Sequence, residues 1–209
     1  MVSTNVYVDG FNFYYRCVRG TPYKWLDFSK LCPLLIPGGH QVQRVKYFTA
    51  RVKPLPRDPD APSRQQAYLR ALGTIPNLSI IYGHFRKNVV RMPLAKPVPG
   101  GPRTVEVIKT EEKGSDVNLA SHLLLDTFRK DCQAALVISN DTDLLEPIRI
   151  VRMEFHCKIG LAYPPAQVPH ALLREVDFVR QIRESGLRKS QFPLTLTDLH
   201  GTISKPASW

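Results

Sequence analysis

Several features are scarce in this chain, and each scarcity removes a class of function. Only four cysteines occur in 209 residues, Cys17, Cys32, Cys132 and Cys157, and they form no CxxC or other metal-ligand spacing. A chain of this length buries a core without a disulfide framework, so they read as reduced thiols. No apolar run approaches the roughly 20 residues that span a bilayer, and the opening MVSTNVYVDG has neither a basic n-region nor an apolar h-region. A soluble, cytoplasmic protein with no membrane partner is expected. The six histidines are scattered, without HExxH or paired spacing, which leaves zinc little support. No GxGxxG follows the first apolar run, and neither GxxxxGK[ST] nor GxSxG occurs, so dinucleotide, P-loop and serine-hydrolase readings lose their basis.

Acid is scarce as well. The 29 Lys and Arg exceed the 18 Asp and Glu, for a net charge of +11, a balance that points to a polyanionic partner such as nucleic acid. Between residues 41 and 113 the count is fourteen basic against five acidic, so the surplus is local. Arg51, Lys53 and Arg57 follow a predicted strand into a proline-rich segment, and Arg86, Lys87 and Arg91 lead into a second loop. These six are expected to flank the active cleft and bind phosphates, which brings affinity and salt dependence rather than sequence selectivity. Phe13, Tyr14 and Tyr15 are able to stack bases, although their helical setting assigns at least two of them to the core.

Apolar periodicity gives the fold class. Asn5-Val6-Tyr7-Val8 is a short buried strand stopped by Asp9-Gly10, and 11–18 and 27–36 are helical in pattern. QVQRVKYFTARV, LSIIYGHFRK, TVEVIKT, AALVIS and HCKIGLAY read as further strands. SRQQAYLRALG is helical, as is the stretch after Ser115, its expected N-cap, with a broad apolar stripe of Val117, Ala120, Leu124 and Phe128 and with Leu123 beside them. A last helix carries Leu144, Leu145, Ile148 and Val151, and Pro147 is tolerable there near the first turn. Residues 88–103, rich in Pro and Gly, are a loop or hairpin excursion. Strands alternating with helices predict an α/β layered fold with a mostly parallel central sheet and helices on both faces. One domain is expected over 1–185, with an irregular tail over 186–209 in which Trp209 serves as an anchor.

The acidic residues that are present are placed unusually. VISNDTDLLEPI sets Asp141 and Asp143 two positions apart after a buried strand, and Asp9 ends another. In parallel α/β sheets ligands collect beyond the carboxyl ends of strands, where both turns would emerge if the strands are neighbours. Singly, Asp116 or Asp143 is well explained as a helix cap. Jointly with Asp9 and Asp141 they form the all-oxygen donor set that Mg²⁺ prefers. His122 falls with Ser115, Asn118, Asp126 and Arg129 on a polar stripe expected to be solvated.

Three blocks, YVDGFNFYY (7–15), EEKGSDVNLASHLL (111–124) and VISNDTDLLEPI (137–148), together resemble the signature of the NYN domain family, a branch of the PIN-like nuclease superfamily. The resemblance implies a PIN-like fold and a Mg²⁺- or Mn²⁺-dependent ribonuclease, a hydrolase whose partner is RNA. By that resemblance Asp9, Asn12, Asp116, Asp141 and Asp143 form the catalytic site, the four aspartates hold the metal, and Asn12 supplies a neutral oxygen or orients a water. Lys113, just before the Gly114 turn, is placed to reach a phosphate. The third block usually reads S-G-D-S-D, and here Asn140 and Thr142 replace the intervening residues while both carboxylates remain. His122 stands where many relatives carry an aspartate. Two rival readings stay open: a non-catalytic nucleic-acid-binding or scaffold module, and a pocket recruited for small-molecule chemistry. A homo-oligomer or a protein partner that supplies specificity is compatible with each.

Overall fold

Two short runs, Val6–Val8 and Ala134–Ile138, are buried at every position, as strands covered on both faces must be. They form the centre of the sheet in a computed structural model that describes residues 1–165 and 169–209. Strand β1 (Val2–Asp9) leads through helix α1 (Gly10–Phe13) and a π-helical turn (Tyr14–Val18) to α2 (Phe28–Leu35), β2 (His40–Thr49), α3 (Ala61–Gly73) and β3 (Leu78–Tyr82). A hairpin, β4 (His84–Pro93) and β5 (Thr104–Lys113), precedes α4 (Ser115–Phe128), β6 (Ala134–Ile138), a 3₁₀ turn (Thr142–Leu144), α5 (Leu145–Met153) and β7 (Lys158–Tyr163). The chain ends with α6 (His170–Arg174), β8 (Phe178–Gln181), α7 (Glu184–Lys189), β9 (Thr195–Asp198) and β10 (Gly201–Ser204).

Six strands make one parallel sheet in the order β3-β2-β1-β6-β7-β8. The order runs outward in opposite directions from β1 and β6, so the crevice beyond their carboxyl ends is the topological switch point. The expectation that Asp9 and Asn140-Asp141 emerge side by side is therefore met, with Val8 paired to Ile138. One core lies on the face covered by α2, α3 and α7, around Trp25, Phe28, Leu31, Tyr47 and Leu72. The other lies under α4, α5 and α6, around Tyr7, Phe48, Leu119, Leu123 and Ile148. All four cysteines are free and buried, and among the described residues no helix is long and apolar enough to cross a membrane.

Four local expectations are corrected. LSIIYGHFRK is two strands, because the chain leaves the sheet at Gly83, where an added Cβ would lie 2.6 Å from the Lys113 carbonyl oxygen. The two legs of the hairpin close at that point, and the Pro/Gly segment 94–103 is its tip. The tail is not irregular throughout: β9 and β10 pair as a hairpin, Arg70 holds Asp198 with contacts of 2.6 and 2.9 Å, and Trp25 Nε1 donates to the Pro193 carbonyl at 2.8 Å. Trp209 does stack into this region, 5.4 Å from Tyr68. The N-cap of α4 is Gly114 and not Ser115, which lies buried in the first turn. The buried face of α4 is Leu119, Leu123, Asp126 and Thr127, while Val117 and Phe128 are about 70% exposed. The polar stripe expected to be solvated thus points partly into the protein: Asp126 is buried against Tyr7 and Lys46, and His122 is half-buried beside Lys46.

Candidate active site

β1 delivers Asp9 almost fully buried at its carboxyl end, 4% exposed. The next residue must be Gly10, since a Cβ there would sit 2.6 Å from the Phe48 carbonyl and 2.7 Å from the Tyr47 ring. Asp9 also caps a helix: its Oδ1 accepts the Asn12 backbone N–H at 3.0 Å, while Oδ2 accepts the Ser139 hydroxyl at 2.9 Å. Ser139 Oγ in turn accepts the Asp141 N–H at 3.1 Å, and the Asn140 N–H donates to Asn12 Oδ1 at 3.3 Å. The ends of β1 and β6 are laced together by side chains, so Asp9, Asn12 and Asp141 hold fixed relative positions. Asp141 Oδ1 accepts the Asp143 N–H at 3.0 Å and so caps the 3₁₀ turn. One aspartate caps, and the other is left exposed at the rim.

From the opposite side, α4 presents Asp116 in its first turn. Asp9, Asn12, Asp116 and Asp141 all line one open cleft of about 550 Å³. Burial pushes the Asp9 carboxyl up to about 6, with Asp116 and Asp141 adding to the rise against the hydrogen bonds from Asn12 and Ser139. Asp116 is also raised, first by burial and then by Asp141, Glu112 and Asp143. The carboxylates therefore feel one another, and among the described residues none of Asp9, Asp116 and Asp141 has an ion-pair partner. Among the described residues no three His, Cys, Asp or Glu side chains converge as a ready coordination shell. The donor set still fits a hard divalent cation, which takes one or two carboxylates directly and fills its remaining positions with water.

The basic residues expected to flank this cleft are elsewhere. Arg51 lies over the Tyr82 ring, 5.1 Å from its centre, in a separate pocket with Arg70 and His200. Lys53 and Arg57 lie on the segment between β2 and α3, and Arg86, Lys87 and Arg91 on β4, and none lines the cleft. Arg91 faces Glu106 at 3.4 Å, Lys113 pairs with Glu111 at 3.5 Å, and neither base lines the cleft. Sequence reasoning missed the residues that do line it: Arg16 and Arg19 from the π-helical turn, Phe85 from the hairpin base and Glu112. Glu112 Oε1 accepts the Ser115 N–H at 3.1 Å. The signal was available, because Asn12, Tyr15, Arg16 and Arg19 recur three and four residues apart. Of the aromatic trio, Phe13 is in the core, Tyr14 is half-buried and Tyr15 lines the cleft.

Comparison with known proteins bears on this cleft in three ways. The family model of the NYN domain matches residues 3–183. A curated relative from Pseudomonas putida, named 6-hydroxy-3-succinoylpyridine 3-monooxygenase HspA, is 32% identical over all of this chain and 75% of its own length. A crystal structure of a Vibrio parahaemolyticus protein of unknown function superposes with a TM-score of 0.58 at 15% identity, covering 88% of this chain and 94% of the other, which is a likeness of fold.

Proposed function

The chain belongs to the NYN domain family, and from that premise we propose that it is a metal-dependent ribonuclease, cleaving RNA phosphodiesters by hydrolysis at the acidic cleft. One observation carries the reading: carboxylates from β1, α4 and the β6 turn line one cleft, where burial and their neighbours' charge raise Asp9 and Asp116, and no cationic side chain among the described residues is paired with them. Such a set is stable in its charged form only with a cation present. Asp9, Asp116, Asp141 and Asp143 would hold Mg²⁺ or Mn²⁺, which when bound lowers the pKa of water and polarises the scissile phosphate. Ser139 and the Asn12 N–H fix the Asp9 carboxylate, so its free lone pairs point into the cleft. Asn12, held through its oxygen by Asn140, presents its amide donors toward an incoming water or phosphate oxygen. RNA rather than DNA rests on the family.

The test is cleavage of labelled single-stranded RNA with Mg²⁺ or Mn²⁺ against EDTA, beside an Asp141→Asn/Asp143→Asn variant of equal thermal stability. Metal-dependent cutting that drops by about 100-fold or more in the variant is expected. RNA binding without cutting under either metal would replace the enzyme by a binding module. A second reading is favoured by one finding: the relative over the whole chain is named a monooxygenase of a substituted pyridine. Hydroxylating a heteroaromatic acid consumes O₂ and two electrons per product, with one oxygen atom leaving as water. Reduced nicotinamide consumption driven by 6-hydroxy-3-succinoylpyridine, with no RNA cleavage, would establish it.

A further inference from the structure

We propose that Arg16 and Arg19, with the rings of Phe11 and Tyr15, form a nucleotide subsite on the wall of the acidic cleft. They would take the phosphate next to the scissile one and stack its base. The inference rests on the ribonuclease reading and names how that site grips its substrate.

Three observations converge on it. The first is the backbone. Helix α1 does not continue as an α-helix but widens into a π turn closed by the Arg19 N–H to the Tyr14 carbonyl at 2.8 Å. Such turns are rare and recur at functional sites. Here the turn begins two residues after Asn12, and Tyr15, Arg16 and Arg19, within it and at its end, line the same cleft.

The second is charge. Arg16 and Arg19 are exposed, and neither has an ion-pair partner among the described residues. Yet the same cleft holds Asp9, Asp116, Asp141 and Glu112, of which Asp9 and Asp116 are raised first by burial and then by neighbouring carboxylates. Unlike charges that line one cavity without pairing leave both sets free for a ligand. A phosphodiester chain with its divalent cation supplies both counter-charges at once.

The third is the aromatic lining. Tyr15 is 56% exposed, with the Arg19 guanidinium 5.3 Å from its ring centre, and Phe11 meets Phe85 edge-to-face at 5.6 Å. Flat apolar surface beside a guanidinium is the arrangement on which single-stranded bases stack. A duplex would keep its bases paired and away from these rings, so the substrate class is single-stranded RNA.

The experiment is anisotropy titration of a labelled oligouridylate into the full chain, in EDTA to prevent turnover, across a salt series. Arg16→Ala/Arg19→Ala is compared with Arg51→Ala/Lys53→Ala and with Tyr15→Ala, and thermal melts confirm that these exposed changes leave the fold intact. Arg16→Ala/Arg19→Ala should weaken binding about 10-fold or more and reduce the log–log salt slope by roughly 1.4, about 0.7 for each lost phosphate contact. Tyr15→Ala should weaken binding about fivefold or more without changing that slope. Arg51→Ala/Lys53→Ala should stay within about twofold. Wild-type protein that binds and cleaves RNA while Arg16→Ala/Arg19→Ala binds equally well overturns the subsite and leaves the ribonuclease reading standing. Wild-type protein that binds no RNA, yet binds a small heteroaromatic carboxylate through the same arginines, overturns the ribonuclease reading and the nucleotide subsite with it.

Discussion

Helix α4 carries one aspartate at each end, and the two are handled in opposite ways. Asp126, near the carboxyl end, is buried and fully partnered: Lys46 Nζ stands 2.6 Å from its carboxylate, and the Tyr7 hydroxyl donates to it at 2.8 Å. Lys46 also reaches His122 Nδ1 at 3.2 Å, and burial together with that ammonium lowers the His122 pKa. Asp116, in the first turn, has no cationic partner and faces Asp141, Glu112 and Asp143. One residue type on one helix thus serves as a structural ion pair at one end and as an uncompensated charge at the other. Charge that the fold neutralises itself belongs to stability, and charge that it leaves unneutralised marks where a ligand binds.

The contrast breaks most sharply by removing each carboxylate in turn. Asp126→Ala leaves the Lys46 ammonium buried without a counter-charge and Tyr7 without an acceptor, so it should cost about 3–5 kcal/mol in urea unfolding. Asp116→Ala removes repulsion together with a favourable first-turn charge of at most about 1 kcal/mol, and should leave the unfolding midpoint nearly unchanged while abolishing RNA cleavage. Equal losses at both sites would erase the distinction.

Asp9 extends the comparison to pH. Its pKa is raised from the ordinary carboxyl value of 3.8 to about 6, so between these values the folded chain binds a proton that the unfolded chain has lost. The stabilising contribution of protonated Asp9 is complete below about 4 and is lost as pH rises through 6. The size is on the order of 3 kcal/mol. In EDTA, Asp9→Asn should flatten this part of the stability–pH curve and be more stable than wild type at pH 7. A wild-type curve already flat from pH 4 to 7 would sink the prediction. Divalent cation should act in the same direction as Asp9→Asn. Mn²⁺ at about 100 times its Kd stabilises wild type by about 2.7 kcal/mol, seen as a raised Tm, and stabilises Asp141→Asn/Asp143→Asn far less.

How much of this was legible in the sequence follows from what kind of signal each feature leaves. Buried strands such as Ala134–Ile138 are continuous apolar runs, and the alternation with helices then dictates a parallel sheet, so the architecture was readable. The convergence of Asp9, Asp116 and Asp141 on one cleft was readable because they sit in three short motifs at strand and helix ends, whereas Asp143 of the same motifs is exposed and outside the lining. The arginines were misassigned because net charge along the chain says nothing of direction. Arg51 and Arg91 face Tyr82 and Glu106, whereas Arg16 and Arg19 lie in a stretch of modest charge, where only their spacing from Asn12 marks them. The tail hairpin was missed for a different reason: four-residue strands such as Thr195–Asp198 are too short to show alternation, and side chains including Arg70 and Trp25 hold the segment in place.

The smallest effect tests the face of α4 itself. Apolar spacing points to Val117, Ala120, Leu124 and Phe128, with Leu123 beside them, as the inward stripe; Leu123 is wholly buried, as is Leu119, yet Val117 is 68% and Phe128 70% exposed. The helix is rotated away from its most apolar stripe because a polar demand fixes its azimuth: Asp126 must meet Lys46 and Tyr7 in the core. An unpaired buried ammonium costs more than an exposed valine gains by burial, so the polar contacts decide. Val117→Ser should therefore change stability by less than about 0.5 kcal/mol, as substitutions at an exposed site do, and leave RNA cleavage unaltered. A loss of about 2 kcal/mol, the cost expected of a buried aliphatic side chain, would mean that apolar packing sets the rotation of α4 and that the Lys46–Asp126 pair merely follows it.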